Sequence, residues 1–236
     1  YGLHHYTKQP LLDNNQLIWV PGPSISNDEQ VLVSAKKPFK SQGGLQVLSG
    51  NIGRAVIKTS GLAVGKSKIK APAVVCSNQE EFNRLFDEGL LEQDCIVVVR
   101  YQGPKACGMP ELHQLTPKLG VLMDKGYQVA LVTDGRMSGA SGKVPAAIHV
   151  TPEALDNETL ARIETGDIIL IDAEQGILQL LVTESELKQR TKTVLDDRGL
   201  CLGNGRELFT SLRLQFSGAE QGACSLFQGK ESCYEF

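Results

Sequence analysis

The sequence predicts a mixed α+β fold, in which a sheet or barrel of short strands carries helices on its periphery. Short runs of β-branched and aliphatic residues, bounded by glycine, proline or asparagine, outnumber the helical patterns, and several are followed by a helix signal. Two of these runs, Cys95–Arg100 and Gln128–Thr133, are nearly continuous in apolar residues, which is typical of strands covered on both faces.

Composition excludes several classes of protein. The chain has 236 residues, of which 41% are apolar and 22% charged, and its net charge of −3 provides no basic field for nucleic acid or an anionic membrane. The six cysteines contain no Cys-x-x-Cys pair, which favours reduced thiols in the cytoplasm over zinc or disulfide sites. Because the sequence starts at Tyr1 without a methionine, we expect a piece of a longer protein.

Residues 1–44 are predicted to form an interdomain arm that crosses from a preceding domain. They are rich in proline, asparagine, serine and glutamine and contain two strand-like runs, Leu17–Val20 and Val31–Ser34. Pro21 and Pro23 separate these runs and are expected to lie outside both ladders, because proline lacks a backbone N–H.

The next part of the chain is expected to combine strands with two helices. The predicted strands are Leu45–Leu48, Ala55–Lys58, Ala71–Cys76 and Cys95–Arg100. A capping box of Ser77 and Glu80 predicts a helix that continues to about Leu91. Leucines at helical spacing predict a second helix, which starts at Pro110 and ends near Lys125.

After the strand Gln128–Thr133, the chain enters a loop rich in polar side chains and glycine. The loop contains Asp134, Gly135, Arg136, Ser138, Gly139, Ser141, Gly142 and Lys143. Glycine lets a backbone approach a ligand closely, and binding residues concentrate on such loops. An ordinary Gly/Ser turn between two core strands is the alternative interpretation.

The remainder is predicted to contain further strands and short helices. The predicted elements are a strand at Ala146–Thr151, a helical turn from Pro152, a hairpin of Asp167–Asp172 with Ile177–Val182, and helices at Glu184–Thr191 and Arg206–Phe216. The pattern of residues leaves the strand order open.

Five segments carry a resemblance to a known family. The longest begins with Thr133-Asp-Gly-Arg-Met-Ser-Gly-Ala-Ser-Gly-Lys143 and continues to Ala154, and the others are Leu48–Thr59, Val97–Lys105, Gly108–His113 and Ser217–Ala223. In order and spacing they resemble the iron–sulfur dehydratases of sugar acids and dihydroxy acids, and most closely the 6-phosphogluconate branch. The resemblance covers nearly the whole chain, from Tyr1 to about Phe227.

The resemblance implies the fold and the assembly. Residues 45–227 would form a β-barrel-like swivelling β/β/α domain with flanking helices, and residues 228–236 a C-terminal tail. An N-terminal domain, absent from this chain, would bind the iron–sulfur cluster, expected to be of the [4Fe–4S] type. Family members are dimers with the active site between the two domains, so this fragment alone would be inactive.

The resemblance also implies a catalytic serine. Removing water from a polyhydroxy acid requires a base for a weakly acidic proton and a Lewis acid for the leaving hydroxyl. The family implies an iron–sulfur cluster as the Lewis acid, a magnesium ion on the substrate carboxylate, and a serine alkoxide, here Ser138, as the base. Such an alkoxide needs nearby positive charge. The alternative is a turn hydroxyl that bonds its own backbone.

A magnesium ligand is implied in the Met-Pro-Glu segment. The family's glutamate there corresponds to Glu111, and oxygen ligands suit magnesium. The alternative for Glu111 is to stabilise the dipole at the start of the second predicted helix. Gln102 replaces a glutamate of the dihydroxy-acid branch, which is consistent with a different substrate end.

A phosphorylated sugar acid needs cations or backbone N–H groups around it. The candidate substrate-binding residues are Arg54, Lys58, Arg136, Ser141 and Lys143, and each of them could instead be a solvated surface group. His113 and His149 are each either structurally satisfied or in contact with the substrate. Cys107 is interpreted as incidental, because members of the resembling family carry other residues there. A cluster needs three or four convergent thiolates, and the resemblance implies that they lie in the N-terminal domain, so no iron–sulfur ligand is expected in this chain.

The resulting hypothesis is a C-terminal catalytic domain that eliminates water from 6-phosphogluconate to give 2-dehydro-3-deoxy-6-phosphogluconate. The alternatives are another sugar-acid or dihydroxy-acid dehydratase domain and a non-catalytic sugar-acid-binding module.

Overall fold

The computed structural model describes residues 6–41, 43–63, 65–138, 142–195, 209–213 and 215–226. The chain divides into two compact units, Tyr1–Gly43 and Gly44–Phe236. The interpretation of residues 1–44 as an interdomain arm stays a prediction, and the proposed tail at 228–236 lies outside the described residues.

The first unit contains an antiparallel hairpin of β1 (Lys8–Asp13) and β2 (Gln16–Pro21). Asn14 and Asn15 join the strands with φ angles of 45° and 61°, the left-handed conformation that a tight hairpin turn requires. The sequence predicted β2 but not β1. Pro21 was expected outside the ladder, yet it is the last residue of β2, opposite Lys8, where a strand end tolerates proline.

The predicted strand Val31–Ser34 is wrong. Val31 lies in a turn, and residues 32–34 form no strand. The backbone N–H groups of Val31 and Leu32 both donate to the carbonyl of Asp28, and the Asp28 carboxylate accepts from Gln30 N at 2.8 Å. This local turn uses the backbone groups that a strand would present to a neighbour.

The second unit is an eight-stranded closed barrel, which confirms the mixed α+β class and the barrel-like sheet. Its strands are β3 (Leu45–Gly50), β4 (Gly53–Lys58), β5 (Lys68–Cys76), β6 (Cys95–Val99), β7 (Val129–Thr133), β8 (Ala146–Thr151), β9 (Ile168–Asp172) and β10 (Ile177–Leu180). Around the barrel the order is β10-β3-β4-β8-β7-β6-β5-β9. Neighbours from β5 through β6 and β7 to β8 are parallel, and β3 is also parallel to β10; the other pairs are antiparallel.

The strands β6 and β7 are buried at every position and separate two cores. Alternate side chains such as Ile96 and Val132 fill the barrel interior. The intervening ones, such as Val97 and Leu131, pack on the helical side, because successive side chains of a strand point to opposite faces. This double burial explains the continuous apolar runs in the sequence.

The helices are short and lie on the periphery of the barrel. They are α1 (Gln79–Asp87), α2 (Pro104–Cys107), α3 (Leu115–Asp124), α4 (Glu158–Arg162), α5 (Glu184–Gln189) and α6 (Thr210–Arg213), with a 3₁₀ turn at Ala219–Gln221. The sequence did not predict α2. Of the predicted helix Arg206–Phe216, residues 206–208 and 214 lie outside the described residues.

The predicted starts of two helices, α1 and α3, are wrong. The cap of α1 is Asn78, which accepts from Glu81 N, while the Glu81 carboxylate accepts from Ser77 N, so the capping pair lies one residue later than predicted. The second helix starts at Leu115 and not at Pro110. Glu111 therefore lies in a loop, where it forms an isolated parallel bridge with Arg136.

One other helix limit differs from the prediction, and one predicted turn is present. The helix α1 ends at Asp87 and not near Leu91, because Gly89 adopts a φ of 74° that leaves the helix. The turn expected after Pro152 is present, because the N–H groups of Asp156 and Asn157 both donate to the Glu153 carbonyl, and α4 follows it with the Asn157 side chain accepting from Leu160 N. Among the described helices, none is both long and apolar enough to cross a membrane.

Candidate active site at the carboxyl edge of the parallel strands

The strands β5 to β8 are parallel neighbours, so their C-terminal ends meet at one edge of the barrel. We call this the carboxyl edge, and the opposite end the amino edge. Segments that leave the strands at the carboxyl edge hold Gln102 after β6 and the residues from Asp134 to Ser138 after β7. The polar loop found in the sequence therefore emerges next to the ends of two other buried strands.

Asp134 connects the segments that follow β6, β7 and β8 through hydrogen bonds. Its fully buried carboxylate accepts hydrogen bonds from the backbone N–H groups of Tyr101, Gln102 and Ala154 at 3.2, 2.8 and 2.9 Å. Burial raises the pKa of Asp134, against the lowering effect of these N–H donors. The sequence showed Asp134 as part of the loop but gave no sign of this role.

Gly135 allows the loop to leave β7 against the neighbouring segments. A Cβ atom added there would lie 2.5 Å from Leu112 Cδ1 and 2.8 Å from Gln102 Cβ, closer than packed atoms can approach. A glycine at this position is therefore required by close packing, and it brings the loop against the segment that carries Glu111.

Glu111 is the centre of a hydrogen-bonded cluster with Ser138 and Arg136. Its Oε1 accepts from Ser138 N at 2.8 Å and from His113 N at 3.0 Å, and its Oε2 accepts from Ser138 Oγ at 2.8 Å and from Arg136 Nη1 at 2.9 Å. Arg136 Nε donates to the Met109 carbonyl at 3.0 Å, which fixes the guanidinium against the same segment. The side chain of Ser138 is exposed, while that of Glu111 is only 24% exposed.

The donors around Glu111 favour its ionised form. Partial burial alone would raise the pKa of Glu111, but the hydrogen bonds from Ser138 and His113 and the charge of Arg136 lower it below the usual value. A carboxylate at this site therefore keeps its negative charge at neutral pH and can attract a cation.

Gln102 is a structural residue in this arrangement. Its buried Nε2 donates to the carbonyls of Ser77, Arg100 and Tyr101 at 3.0, 3.3 and 3.1 Å. An amide donor is needed to satisfy these carbonyls, and a carboxylate would repel them. These contacts give Gln102 a structural role, and the link to the substrate end that the sequence suggested stays a prediction.

The candidate cations divide between the two edges of the barrel. Arg54 pairs with Thr151 at the carboxyl edge and forms an ion pair of 3.3 Å with Glu220. Lys58 lies at the other end of β4, near the start of β8. Lys143 donates to Asp124, at the end of α3 that leads toward the amino edge, at 2.7 Å. Only Arg54 and Arg136 among these cations therefore lie at the edge that holds Ser138, and Ser141 lies outside the described residues.

The two histidines differ in setting. His113 is exposed, and its Nδ1 lies 3.7 Å from Glu111 Oε1. His149 is half-buried on β8, and its backbone N–H donates to the Gly135 carbonyl at 3.0 Å. Burial lowers the pKa of His149, and the nearby charge of Arg136 lowers it further.

Among the described residues, some donor groups of the site fit part of a magnesium shell. Within the described ranges, no group of three His, Cys, Asp or Glu side chains could hold a metal ion. Glu111 and Ser138 supply adjacent oxygen atoms of the type that magnesium prefers. Burial raises the pKa of the Cys76 thiol to about 12 and that of Cys95 to about 11, so both are protonated and unsuited to bind iron.

Sequence comparisons identify proteins that share these segments. The family described as dihydroxy-acid/6-phosphogluconate dehydratase, C-terminal, matches residues 30–223. A protein of Escherichia coli (strain K12) is 54% identical over 223 residues, which are 94% of this chain. Relatives from Pseudomonas aeruginosa and Zymomonas mobilis are 50% and 46% identical over 95% and 97% of the chain.

All three relatives bear the name phosphogluconate dehydratase. The chain spans 37% of the length of each of them. The resemblance seen in the sequence is confirmed, and the chain belongs to the dihydroxy-acid/6-phosphogluconate dehydratase family as a C-terminal domain.

Proposed function

We propose that this member of the dihydroxy-acid/6-phosphogluconate dehydratase family is the C-terminal catalytic part of a phosphogluconate dehydratase. The reaction eliminates water from 6-phosphogluconate, with loss of the C2 proton and the C3 hydroxyl, and the enol product becomes 2-dehydro-3-deoxy-6-phosphogluconate. The names of three relatives at 46% to 54% identity support this substrate. The observation that carries the proposal is the cluster in which Glu111 binds both the hydroxyl and the backbone N–H of Ser138.

Ser138 is the proposed base that takes the C2 proton. Its exposed hydroxyl can reach a ligand, while its backbone N–H is fixed by Glu111. A serine hydroxyl is a weak base until it loses its proton, so neighbouring positive charge must stabilise the alkoxide. In the cluster, Arg136 offsets the negative charge of the Glu111 carboxylate that accepts from Ser138 Oγ, and a bound magnesium ion would supply the net positive charge that the alkoxide needs.

Glu111 is the proposed magnesium ligand of this chain. Its ionised carboxylate and its position beside the Ser138 oxygen suit an oxygen-liganded cation. When bound, magnesium would supply positive charge to the substrate carboxylate, and a [4Fe–4S] cluster would act as Lewis acid on the leaving hydroxyl. We expect the cluster and the other magnesium ligands to come from an N-terminal domain, and the enzyme to be a cytoplasmic homodimer.

This assignment predicts that the 236-residue chain alone is inactive and binds no cluster. Purified chain should lack iron after anaerobic reconstitution with iron and sulfide, because the thiolates that hold the cluster would lie in the N-terminal domain. Stoichiometric iron with the absorbance of a cluster would contradict this part of the proposal.

A substrate panel tests the proposed function. The full-length protein that contains this chain, reconstituted with iron, sulfide and magnesium, should dehydrate 6-phosphogluconate with a higher kcat/KM than gluconate or a branched dihydroxy acid. A preference for either of the last two would favour another dehydratase of the family. Binding of sugar acids without turnover, unaffected by Ser138→Ala, would favour the non-catalytic binding module.

A further inference from the structure

His149 is an extra residue in strand β8. Arg54 of β4 lies opposite Thr151, and Val56 lies opposite Ile148, so two steps along β4 correspond to three along β8. His149 lies within this interval and has a φ of 56°. This is a β-bulge, a feature that occurs next to active sites because it redirects a side chain.

The barrel core explains why the bulge falls at this position. Ala147 and Val150 both belong to the interior core, although a regular strand would place residues 147 and 149 on the same face. The additional residue lets Val150 fill the interior, while His149 stays only half-buried. The side chain that the bulge releases from the core is thus an imidazole at the carboxyl edge.

His149 is close to the candidate active site. Its N–H donates to the carbonyl of Gly135, next to Arg136, and Arg136 lies near enough to disfavour protonation of the ring. Within the part of the chain that the structure describes, no protein group hydrogen-bonds to either ring nitrogen. The imidazole is half-buried, its residue has left-handed backbone, and both ring nitrogens are available. These features favour a role in ligand binding over a role in packing.

We propose that the His149 imidazole hydrogen-bonds one of the substrate hydroxyls that do not react, at C4 or C5, and holds the sugar acid against the Arg136–Ser138 loop. The inference rests on the proposed function and names a further binding residue for it. A neutral imidazole has one donor and one acceptor nitrogen, which matches a hydroxyl that both donates and accepts. The phosphate of the same substrate would instead favour a cationic partner such as arginine.

The variant His149→Asn in the full-length enzyme tests this role. Asparagine tolerates left-handed backbone, so the variant should fold, but it is too short to replace the imidazole. We expect KM for 6-phosphogluconate to rise about fivefold to tenfold with kcat little changed, as for one lost hydrogen bond. His149→Gly should give the same result, and Asn15→Gly, at a left-handed position in the first unit, should leave KM unchanged.

Deoxy analogues identify the contact. Analogues of 6-phosphogluconate that lack the C4 or the C5 hydroxyl are compared in the wild type and in His149→Asn. For the analogue that lacks the hydroxyl bound by His149, the wild type and His149→Asn should have equal KM, because the hydrogen bond is absent in both enzymes. An unchanged KM for 6-phosphogluconate in both His149 variants, or an equal difference for every analogue, would overturn the proposal.

The proposed function is judged separately in the same experiment. If the wild type turned over another sugar acid in place of 6-phosphogluconate, the proposed function would fail. The variants and the deoxy analogues of that acid would then decide the role of His149 by the same criteria.

Discussion

The carboxylate of Glu111 binds Ser138 at two points, accepting from the backbone N–H with one oxygen and from the Oγ hydroxyl with the other, both at 2.8 Å. The two residues are 27 positions apart and belong to the segments that follow the neighbouring strands β6 and β7. This pairing orients the serine hydroxyl and keeps the proposed base beside the proposed magnesium ligand. It connects the packing of the loops directly to the proposed chemistry.

Glu111→Gln should separate magnesium binding from folding. The amide keeps the size and the acceptor oxygen of the side chain but loses the charge that attracts the cation. In the full-length enzyme we expect the apparent magnesium affinity to fall by about tenfold to a hundredfold. Initial rates as a function of magnesium concentration measure this, and Glu88→Gln at the C-terminal cap of α1 is the matched control. An unaltered magnesium dependence in Glu111→Gln would remove Glu111 from the metal site.

Asp134→Asn should destabilise the carboxyl edge. An asparagine presents an amide nitrogen to at least one of the three N–H donors that the carboxylate now accepts. The free energy of unfolding should fall by about 1–3 kcal/mol, the cost of a buried donor without an acceptor. Urea unfolding of the chain measures the loss, and Asp87→Asn at an exposed position should change stability little. Equal stability of wild type and Asp134→Asn would contradict the role assigned to this carboxylate.

Gln102→Glu should affect stability and not substrate choice. Glutamate cannot donate to the carbonyls of Ser77, Arg100 and Tyr101, so the free energy of unfolding should fall by about 1–3 kcal/mol. The order of kcat/KM values across a panel of sugar acids and dihydroxy acids should stay as in the wild type. A switch of preference toward dihydroxy acids would support a substrate role for this position.

The stability of the hairpin β9–β10 should depend on pH through Asp172. The Gln175 N–H, with help from Lys68, lowers the pKa of Asp172 below 3.8, against the opposing effect of burial. A lowered folded-state pKa contributes stability above the unfolded-state value, and this contribution is lost as the pH falls through the folded-state value. Asp172→Asn should therefore cost about 1 kcal/mol at pH 7, and progressively less below about pH 4. A cost that grows on acidification would be incompatible with this assignment.

The sequence predicted some parts of the fold and of the candidate site correctly and others not, for reasons that lie in particular residues. The strands β6 and β7 were predicted correctly because burial on both faces makes them continuously apolar. Ser138 was proposed as the base because its loop resembles a family segment, and that role stays a prediction. Glu111 was placed in a helix because the leucine spacing extends through Leu112, whereas the bridge with Arg136, 25 residues later, keeps this segment out of the helix. No local pattern reveals such a pairing.

The cap of α1 and the bulge at His149 are two further features that the local sequence pattern does not decide. Ser77 with Glu80 and Asn78 with Glu81 both satisfy the capping pattern, and the structure contains the second pair. The bulge follows from the need to fill the barrel interior with Val150, which depends on strands distant in sequence. The closed strand order depends on the same long-range contacts.

The most direct test of the central claim is turnover by Ser138→Ala in the full-length, cluster-loaded enzyme. The variant removes the Oγ atom but keeps the backbone N–H that donates to Glu111. With 6-phosphogluconate we predict that kcat falls by at least about a thousandfold, while the cluster absorbance, the unfolding temperature and the activity of the control Ser185→Ala stay as in the wild type. If Ser138→Ala retained about a tenth or more of the wild-type kcat, another group would have to take the proton.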